Sequence, residues 1–436
     1  MTAMRAISEV EPLAEDTLQP GQVLGRYRIV RRIAVGGMAE LYLAYAIGVE
    51  GFQRLVAIKR ALPRLARDPA FAAMFLDEAR LVATLAHPNI AQVYDVGVDG
   101  HSLYLVMEYL DGRDLRRVLH TAVQRGERVP IAIAAGIAAQ VAAGLHAAHE
   151  NRAPDRTPLH IVHRDVSPAN VVATFGGAIK LIDFGIAKAA RRTTVSVAGQ
   201  LKGKAAYMSP EQCIGGPIDR RSDVFALGVL LYELSTTRRL FRGADEYATM
   251  KQIVEGEIEA PSRLVEDYPV ELEDIVLRAL ARDPSDRYHT ARDVHLDLVR
   301  FAQSHGLAVT EYDLARYLRR LMPDEVERSL LDRQATLETA DGSAPVAKLR
   351  PASLAPLAAS PRAFERASSA GPTLVPDGDP ETRIYERAAR PRSMSELVIE
   401  TTPPPPAPRR IAWPYFALAF ALMFLSGWLA ATYAGG

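Results

Sequence analysis

The chain has 436 residues, enough for two or three domains, and its hydrophobic share of 48% and charged share of 24% are ordinary for a globular protein. Its 52 Lys and Arg balance its 52 Asp and Glu, so no excess of positive charge argues for nucleic acid as a partner. The single cysteine, Cys213, excludes an intramolecular disulfide and a thiolate zinc cage, and it fits a reducing, cytoplasmic setting for the globular part.

Residues 1–22 mix acids, prolines and short apolar stretches, and read as a disordered leader with no secretory signal. Residues 26–33, 40–46, 54–60 and 103–108 alternate as strands do, whereas 70–85, 131–149 and 270–281 carry apolar residues at helical spacing. Strands first and long helices later predict an α+β fold, with one domain over 23–301. Tyr312, Leu314, Leu318 and Leu321 continue the helical spacing, so 302–339 is expected to be a helical extension, packed on the domain or forming a small bundle of its own.

From 340 to 410 prolines and alanines dominate, including the run Pro403 to Pro406. Such a stretch buries too little apolar surface to offset its chain entropy, and is expected to be a flexible linker with an end-to-end distance of roughly 45 Å. Residues 411–436 contain no charge. A helix within 411–434 rises about 1.5 Å per residue and so reaches the roughly 30 Å of a bilayer's hydrocarbon core. Trp413 and Tyr415 stand near one end and Trp428 and Tyr433 near the other, as interfacial aromatic residues do, and Arg409 and Arg410 precede the run. The expectation is a single-pass inner-membrane protein, tail-anchored, with its globular domain in the cytoplasm and no outer sensor domain. A buried core helix or a docking helix is the alternative.

Several short stretches carry the chemistry. Ala34-Val35-Gly36-Gly37-Met38-Ala39-Glu40-Leu41 lies between two strand-like runs, though a plain hairpin would read the same. Val56-Ala57-Ile58-Lys59 ends an apolar strand on a lysine, and Glu78 lies in a helical stretch ahead of His87-Pro88-Asn89-Ile90. Leu105 to Gly112 forms a further segment, followed by Asp114. His163-Arg164-Asp165-Val166-Ser167-Pro168-Ala169-Asn170 and Asp183-Phe184-Gly185 each follow a short apolar run. Ser209-Pro210-Glu211, Asp223 and Arg287 come later.

In this order the stretches resemble the protein kinase family, and most closely the eukaryotic-like serine/threonine kinases of bacteria, over residues 27–301. The resemblance implies a two-lobed fold, a small β-rich lobe and a larger helical one, with ATP and Mg²⁺ (Mn²⁺ as an alternative) as cofactors. It implies that Ala34, Val35, Gly36, Gly37 and Leu41 cover the phosphates, with Ala57, Met107, Glu108, Leu110 and Asp114 around adenine and ribose. Lys59 would contact the phosphates and Glu78 orient it; Asp77, about 100° around the helix, is the weaker candidate. Asp165 would take the proton of the attacking hydroxyl, and Asn170 and Asp183 would hold metal. Glu211 would pair with Arg287, and Asp223 would brace the catalytic loop.

Two features depart from the family's pattern. The glycine-rich loop keeps only its central glycine, Gly36, and Ser167 stands where such kinases carry lysine while Lys204 stands where they carry threonine. The two side chains have changed places, and Lys204 is read either as returning an ammonium toward Asp165 or as pointing to solvent. Arg164 ahead of Asp165 implies control by a phosphate on the activation segment, with Thr193, Thr194 and Ser196 as candidates.

The expected function is transfer of the γ-phosphoryl of Mg-ATP to serine or threonine of protein substrates. A transient homodimer would serve trans-autophosphorylation beneath the membrane. A nucleotide-binding pseudokinase scaffold is the alternative, favoured by the reduced glycine loop and Ser167. A small-molecule kinase is disfavoured by the full activation segment, and tyrosine specificity stays open because the Ser167/Lys204 exchange blurs its usual marker.

Overall fold

The structure, a computed structural model, describes residues 17–48, 53–100, 102–184 and 205–340. The segment expected to cross the membrane, the linker before it, Lys204 and the three candidate phosphosites lie outside the described residues.

The first lobe is an antiparallel sheet in the order β1-β2-β3-β4-β6-β5. Its strands are β1 (Val23–Leu24), β2 (Tyr27–Val35), β3 (Ala39–Ile47), β4 (Gln53–Ala61), β5 (Val93–Asp99) and β6 (Ser102–Glu108). Alternation selects the faces: Tyr27 and Ile29 of β2, Tyr42 and Ala44 of β3, and Val56 and Ile58 of β4 turn to one buried cluster with Tyr104 and Val106. Against the sheet stand α1 (Pro63–Ala66) and α2 (Pro69–Ala83). Asp68 caps α2 by accepting from the Ala70 N–H at 3.0 Å, and Pro69 occupies the first turn, where a missing N–H costs nothing. The helix ends two residues before the predicted 85, because Thr84 turns its hydroxyl back onto the Leu81 carbonyl at 2.7 Å.

The second lobe is helical. A three-stranded sheet of β7 (Gly112–Asp114), β8 (Val171–Thr174) and β9 (Ile179–Leu181) lies at its edge toward the first lobe. The helices are α3 (Leu115–Gln124), α4 (Ile131–His149), α5 (Pro210–Cys213), α6 (Arg220–Thr236), α7 (Glu246–Glu255), α8 (Val270–Ala279), α9 (Ala291–Ser304), α10 (Glu311–Leu321) and α11 (Pro323–Ala340). Among the described residues α4 is the helix long and apolar enough to cross a membrane, and it serves instead as the buried centre of this lobe. α6 is buried around nearly its whole circumference, the mark of a central core helix.

The extension after α9 joins this core. Capping boxes start both α9 (Thr290 with Asp293) and α10 (Thr310 with Asp313). Leu314, Tyr317, Leu318 and Leu321 of α10 then enter the same apolar cluster as α4 and α6. Gly177, in the β8–β9 turn at φ 97°, makes room for this docking: a Cβ there would lie 1.8 Å from the Glu311 carbonyl oxygen.

Candidate active site

The two lobes meet in a cleft of about 770 Å³. Its roof is the β2–β3 turn, closed by the Gly36 N–H donating to the Ala39 carbonyl at 2.8 Å. Gly36 has no left-handed backbone, and a Cβ there would sit 3.4 Å from that carbonyl, an ordinary contact. The glycine therefore matters for how close a ligand can come to the turn, not for the turn itself. Ala34, Val35, Gly37 and Leu41 line the same roof, and Ala57, Met107, Glu108 and Leu110 the wall behind it. Glu108 is fixed at the end of β6 by its N–H to the Gln92 carbonyl (2.8 Å) and by Lys180 Nζ at 2.9 Å from its carboxylate.

Asp114 departs from the other predicted nucleotide residues. Its carboxylate caps α3, accepting from the Arg117 N–H at 2.8 Å, and it is not among the residues lining the cleft. Helix capping thus accounts for an acid at that position.

Beside it, a cavity of about 150 Å³ that shares Lys59 and Asp183 with the cleft is walled by Lys59, Glu78, Asp165, Asn170 and Asp183 together. Pairing across β3–β4–β6 sets Lys59 opposite Leu41 and Leu105, which aims it from the sheet into the cleft. Its Nζ lies 2.6 Å from Asp183 Oδ1. Burial works against the Lys59 charge, yet Asp183, Glu78 and Asp165 outweigh it and hold its pKa above the usual lysine value. The ammonium is therefore permanent at neutral pH. Glu78 faces this cavity from α2, whereas Asp77 is exposed and pairs with Arg80 at 3.0 Å, as one step around a helix requires.

The catalytic-loop stretch is held from beneath. Asp223 of α6 accepts from the His163 N–H (2.7 Å) and the Arg164 N–H (2.8 Å), and its carboxylate also meets His149 Nε2 at 2.8 Å. Burial opposes the charge of Asp223, but these donors prevail and keep its pKa below the carboxylate range. Arg164 adopts a left-handed backbone at φ 64°, a conformation that those two adjacent bonds and a third, from Gln212 to its carbonyl at 3.2 Å, hold in place. Among the described residues no carboxylate pairs with the Arg164 guanidinium.

Asn170 Nδ2 donates to the Asp165 carbonyl at 2.7 Å, which leaves the amide oxygen as its free donor toward a cation. That oxygen and the Asp183 carboxylate suit Mg²⁺, which takes a few hard protein ligands and completes its shell from phosphates and water. Phe184 turns into a buried cluster with Leu85, Ile90 and Ile161, on which Leu81 and Val82 of α2 pack, and its ring lies tilted 4.5 Å from that of His163, so α2 and the catalytic loop share one apolar contact. Ser167 is buried and makes no cap bond to the turn that follows it.

Arg287 spends all five of its N–H groups. Two reach the Glu211 oxygens at 2.9 Å each, and three reach the carbonyls of Ala281, Arg221 and Arg282. The pairing predicted from sequence is thus a fork, fully buried, tying α5 to the loop after α8. Neighbouring Cys213 has its thiol pushed up to about 12 by burial and by the Glu211 charge.

Reasoning from sequence missed the outer edge of the cleft. Arg328, Ser329 and Asp332 of α11 line it, together with Arg31, Asp111 and Arg113. The signal available was a polar stripe at helical spacing, Glu325, Ser329 and Asp332, on a helix otherwise without an assigned surface.

The protein kinase domain model matches residues 27–297. The chain is 43% identical over 336 residues to a protein of Myxococcus xanthus named tyrosine-protein kinase MasK, covering 76% of this chain and 52% of that one. It is 39% identical over 286 residues to the serine/threonine-protein kinase PknB of Mycobacterium leprae, covering 64% and 44%. It is also 37% identical over 277 residues to the serine/threonine-protein kinase PrkC of Bacillus subtilis, covering 64% and 40%. The chain therefore spans about half the length of the curated relatives it matches. Among solved structures, the PknI kinase domain of Mycobacterium tuberculosis superposes with a TM-score of 0.51 at 29% identity, covering 66% of this chain and all of that one. Two lobes, a cavity beside the cleft walled by Lys59, Glu78, Asp165, Asn170 and Asp183, and relatives of this kind lead to one conclusion: the chain belongs to the protein kinase family, among the eukaryotic-like kinases of bacteria.

Proposed function

We propose that this protein kinase transfers the γ-phosphoryl of Mg-ATP to serine and threonine hydroxyls of proteins. The observation that carries the reading is the convergence of Lys59, Glu78, Asp165, Asn170 and Asp183 on one cavity that shares Lys59 and Asp183 with a glycine-roofed cleft. Asn170 and Asp183 would hold the metal, whose part is to neutralise phosphate charge. Lys59, kept cationic by its acidic neighbours, positions the phosphates. Asp165 orients the acceptor hydroxyl and receives its proton. The completeness of this set weighs against a pseudokinase.

Lys204 is proposed to supply, from the activation segment, the cation that Ser167 cannot. Arg164 is proposed to receive a phosphate on Thr193, Thr194 or Ser196, the absence of an acidic partner among the described residues being its support. Residues 411–434 are proposed to tether the domain beneath the inner membrane, on the strength of their length and lack of charge. Equal autophosphorylation in liposomes with and without residues 409–436 would count against a role for tethering.

A second reading, phosphorylation of tyrosine, is favoured by the relative named a tyrosine kinase and by Ser167 at the position of the usual lysine. One experiment separates them: full-length protein and its Asp165→Asn variant with γ-labelled ATP and Mg²⁺, followed by phosphoamino-acid analysis. Label on serine and threonine that vanishes in the variant is the expected result. Label on tyrosine alone favours the second reading. Absence of transfer with retained nucleotide binding returns the pseudokinase.

A further inference from the structure

The last described helix, α11, lies along the open edge of the cleft and touches both lobes. Glu325, in its first turn, is buried and accepts from Arg113 of β7 and from Arg117 of α3, the latter at 2.7 Å. One turn on, the Ser329 hydroxyl donates to Asp111, in the segment that joins the lobes. Almost one turn further, Asp332 meets Arg31 of β2 at 3.3 Å. Positions 325, 329 and 332 fall on one face of a helix, so a single polar stripe runs from the large lobe, past the hinge, to the strand that leads into the glycine turn.

The stripe borders the ligand space. Arg328, Ser329 and Asp332 stand in the cleft wall opposite the roof formed by Val35 and Gly36. Arg328 is exposed there, and its Nε donates to the Asp324 carbonyl of its own helix at 3.0 Å, which leaves its terminal guanidinium N–H groups facing the mouth. The anchoring is unequal along the helix. Glu325 sits in the interior, and although burial opposes its charge, Arg117 and Arg113 keep its pKa below the ordinary carboxylate value. The pair to β2 is exposed on both sides, so it is the weak end of the contact and the first to part.

We propose that α11 is a working wall of the nucleotide site, a clasp laid from the hinge to β2 across the mouth of the cleft, which slows the release of a nucleoside triphosphate. Opening the lobes moves β2 away from the hinge and must stretch the Arg31–Asp332 contact, while Glu325 keeps the helix on the large lobe. This proposal rests on the reading that the cleft binds Mg-ATP.

The test uses the full-length chain and an ATP analogue that carries its fluorophore on the γ-phosphate, leaving the ribose unmodified. Stopped-flow chase with unlabelled ATP gives the release rate for wild type, Arg31→Asp, Asp332→Arg, the double exchange, and Ser329→Ala. Each single charge variant is expected to release about three- to fivefold faster, the scale of a solvent-edged ion pair, and the double exchange to return within about twofold of wild type. Ser329→Ala, which removes one hydroxyl, is expected to release faster while the unliganded melting temperature stays near that of wild type. Unchanged release in the charge variants and in Ser329→Ala overturns the proposal. So does faster release that the double exchange does not restore, because then each residue acts locally and no clasp joins them. A wild-type protein that binds no analogue overturns the nucleotide reading, and the proposal with it; binding that is indifferent to α11 overturns the proposal alone.

Discussion

Replacing Arg287 by methionine, which keeps much of the side chain's volume, should destabilise the large lobe severely. The guanidinium is fully buried against a carboxylate that is itself 9% exposed, and its other donors satisfy three main-chain carbonyls. Removing it leaves Glu211 charged in the interior, with the Ser222 hydroxyl at 2.5 Å as its remaining side-chain donor in this network. Breaking a buried pair from one side costs about 3–5 kcal/mol. At about 2–4 °C per kcal/mol for a domain of this size, the melting temperature should fall by roughly 10 °C. The companion variant Glu211→Gln removes the charge and keeps the shape, and the double variant should recover about 2 kcal/mol relative to the sum of the singles. Burial raises the pKa of Glu211, but Arg287 and Ser222 more than offset that and bring it below the ordinary carboxylate value. A depressed carboxylate contributes stability above its unfolded pKa and loses it as pH falls through the folded value. The gap between wild type and Arg287→Met should therefore hold at pH 5–8 and close in stronger acid. Thermal denaturation by circular dichroism across that range is the assay. A drop under about 2 °C at neutral pH, or strict additivity in the double variant, would refute the claim that this fork is a coupled, buried unit.

Three further outcomes are expected. His163 is wholly buried and its pKa is lowered, burial outweighing Asp223 and Asp165; its Nδ1 accepts from the Asp165 N–H at 3.3 Å, so protonation there would oppose that bond. The unfolded chain then takes up a proton that the folded one refuses, and stability should decline below about pH 6.5 by up to about 1.4 kcal/mol per pH unit for each such histidine; His163→Asn should flatten the decline, His87 and His146 retaining their share. Gly177→Ala should cost about 2–4 kcal/mol in thermal or urea unfolding, since it combines a left-handed backbone with a collision against the Glu311 carbonyl. Lys204→Ala should lower kcat for peptide phosphorylation far more than it raises KM for ATP; an unchanged kcat in steady-state kinetics would remove the proposed exchange with Ser167.

The residues legible in the sequence were those whose chemistry admits few substitutes. A lysine at a strand end, acids and an amide facing it, and a carboxylate beneath a loop stand out at those spacings, and the structure brings Lys59, Asp165, Asn170 and Asp183 to one cavity and Asp223 beneath the loop. Strands were legible where one face is buried, as in β3 and β4. The short β7, β8 and β9 escaped, because three or four residues carry too little alternation to stand out, and the seven-residue β5 escaped because its faces are mostly half-buried and do not alternate. Asp114 looked like a ligand residue since nothing in a sequence distinguishes an acid that caps a helix from one that waits for ribose. The helicity of 302–339 was readable from Leu314, Leu318 and Leu321, but amphipathic spacing states that a helix has a face to bury and is silent on where. The contacts of Glu325 with Arg113 and Arg117 lie more than 200 residues apart in the chain, beyond any periodicity.

Cys213 offers an experimental consequence. At neutral pH a thiol whose pKa stands at about 12 is ionised to roughly one part in 10⁵, so maleimides and iodoacetamides should scarcely touch it. The natural protein is thus close to silent toward thiol-directed probes without any cysteine being removed. A spin label or dye could be attached through Leu330→Cys on the exposed side of α11 and a second through Val35→Cys above the cleft, and the distance between them followed as the lobes breathe. The chain carries its own blank background for watching its cleft open.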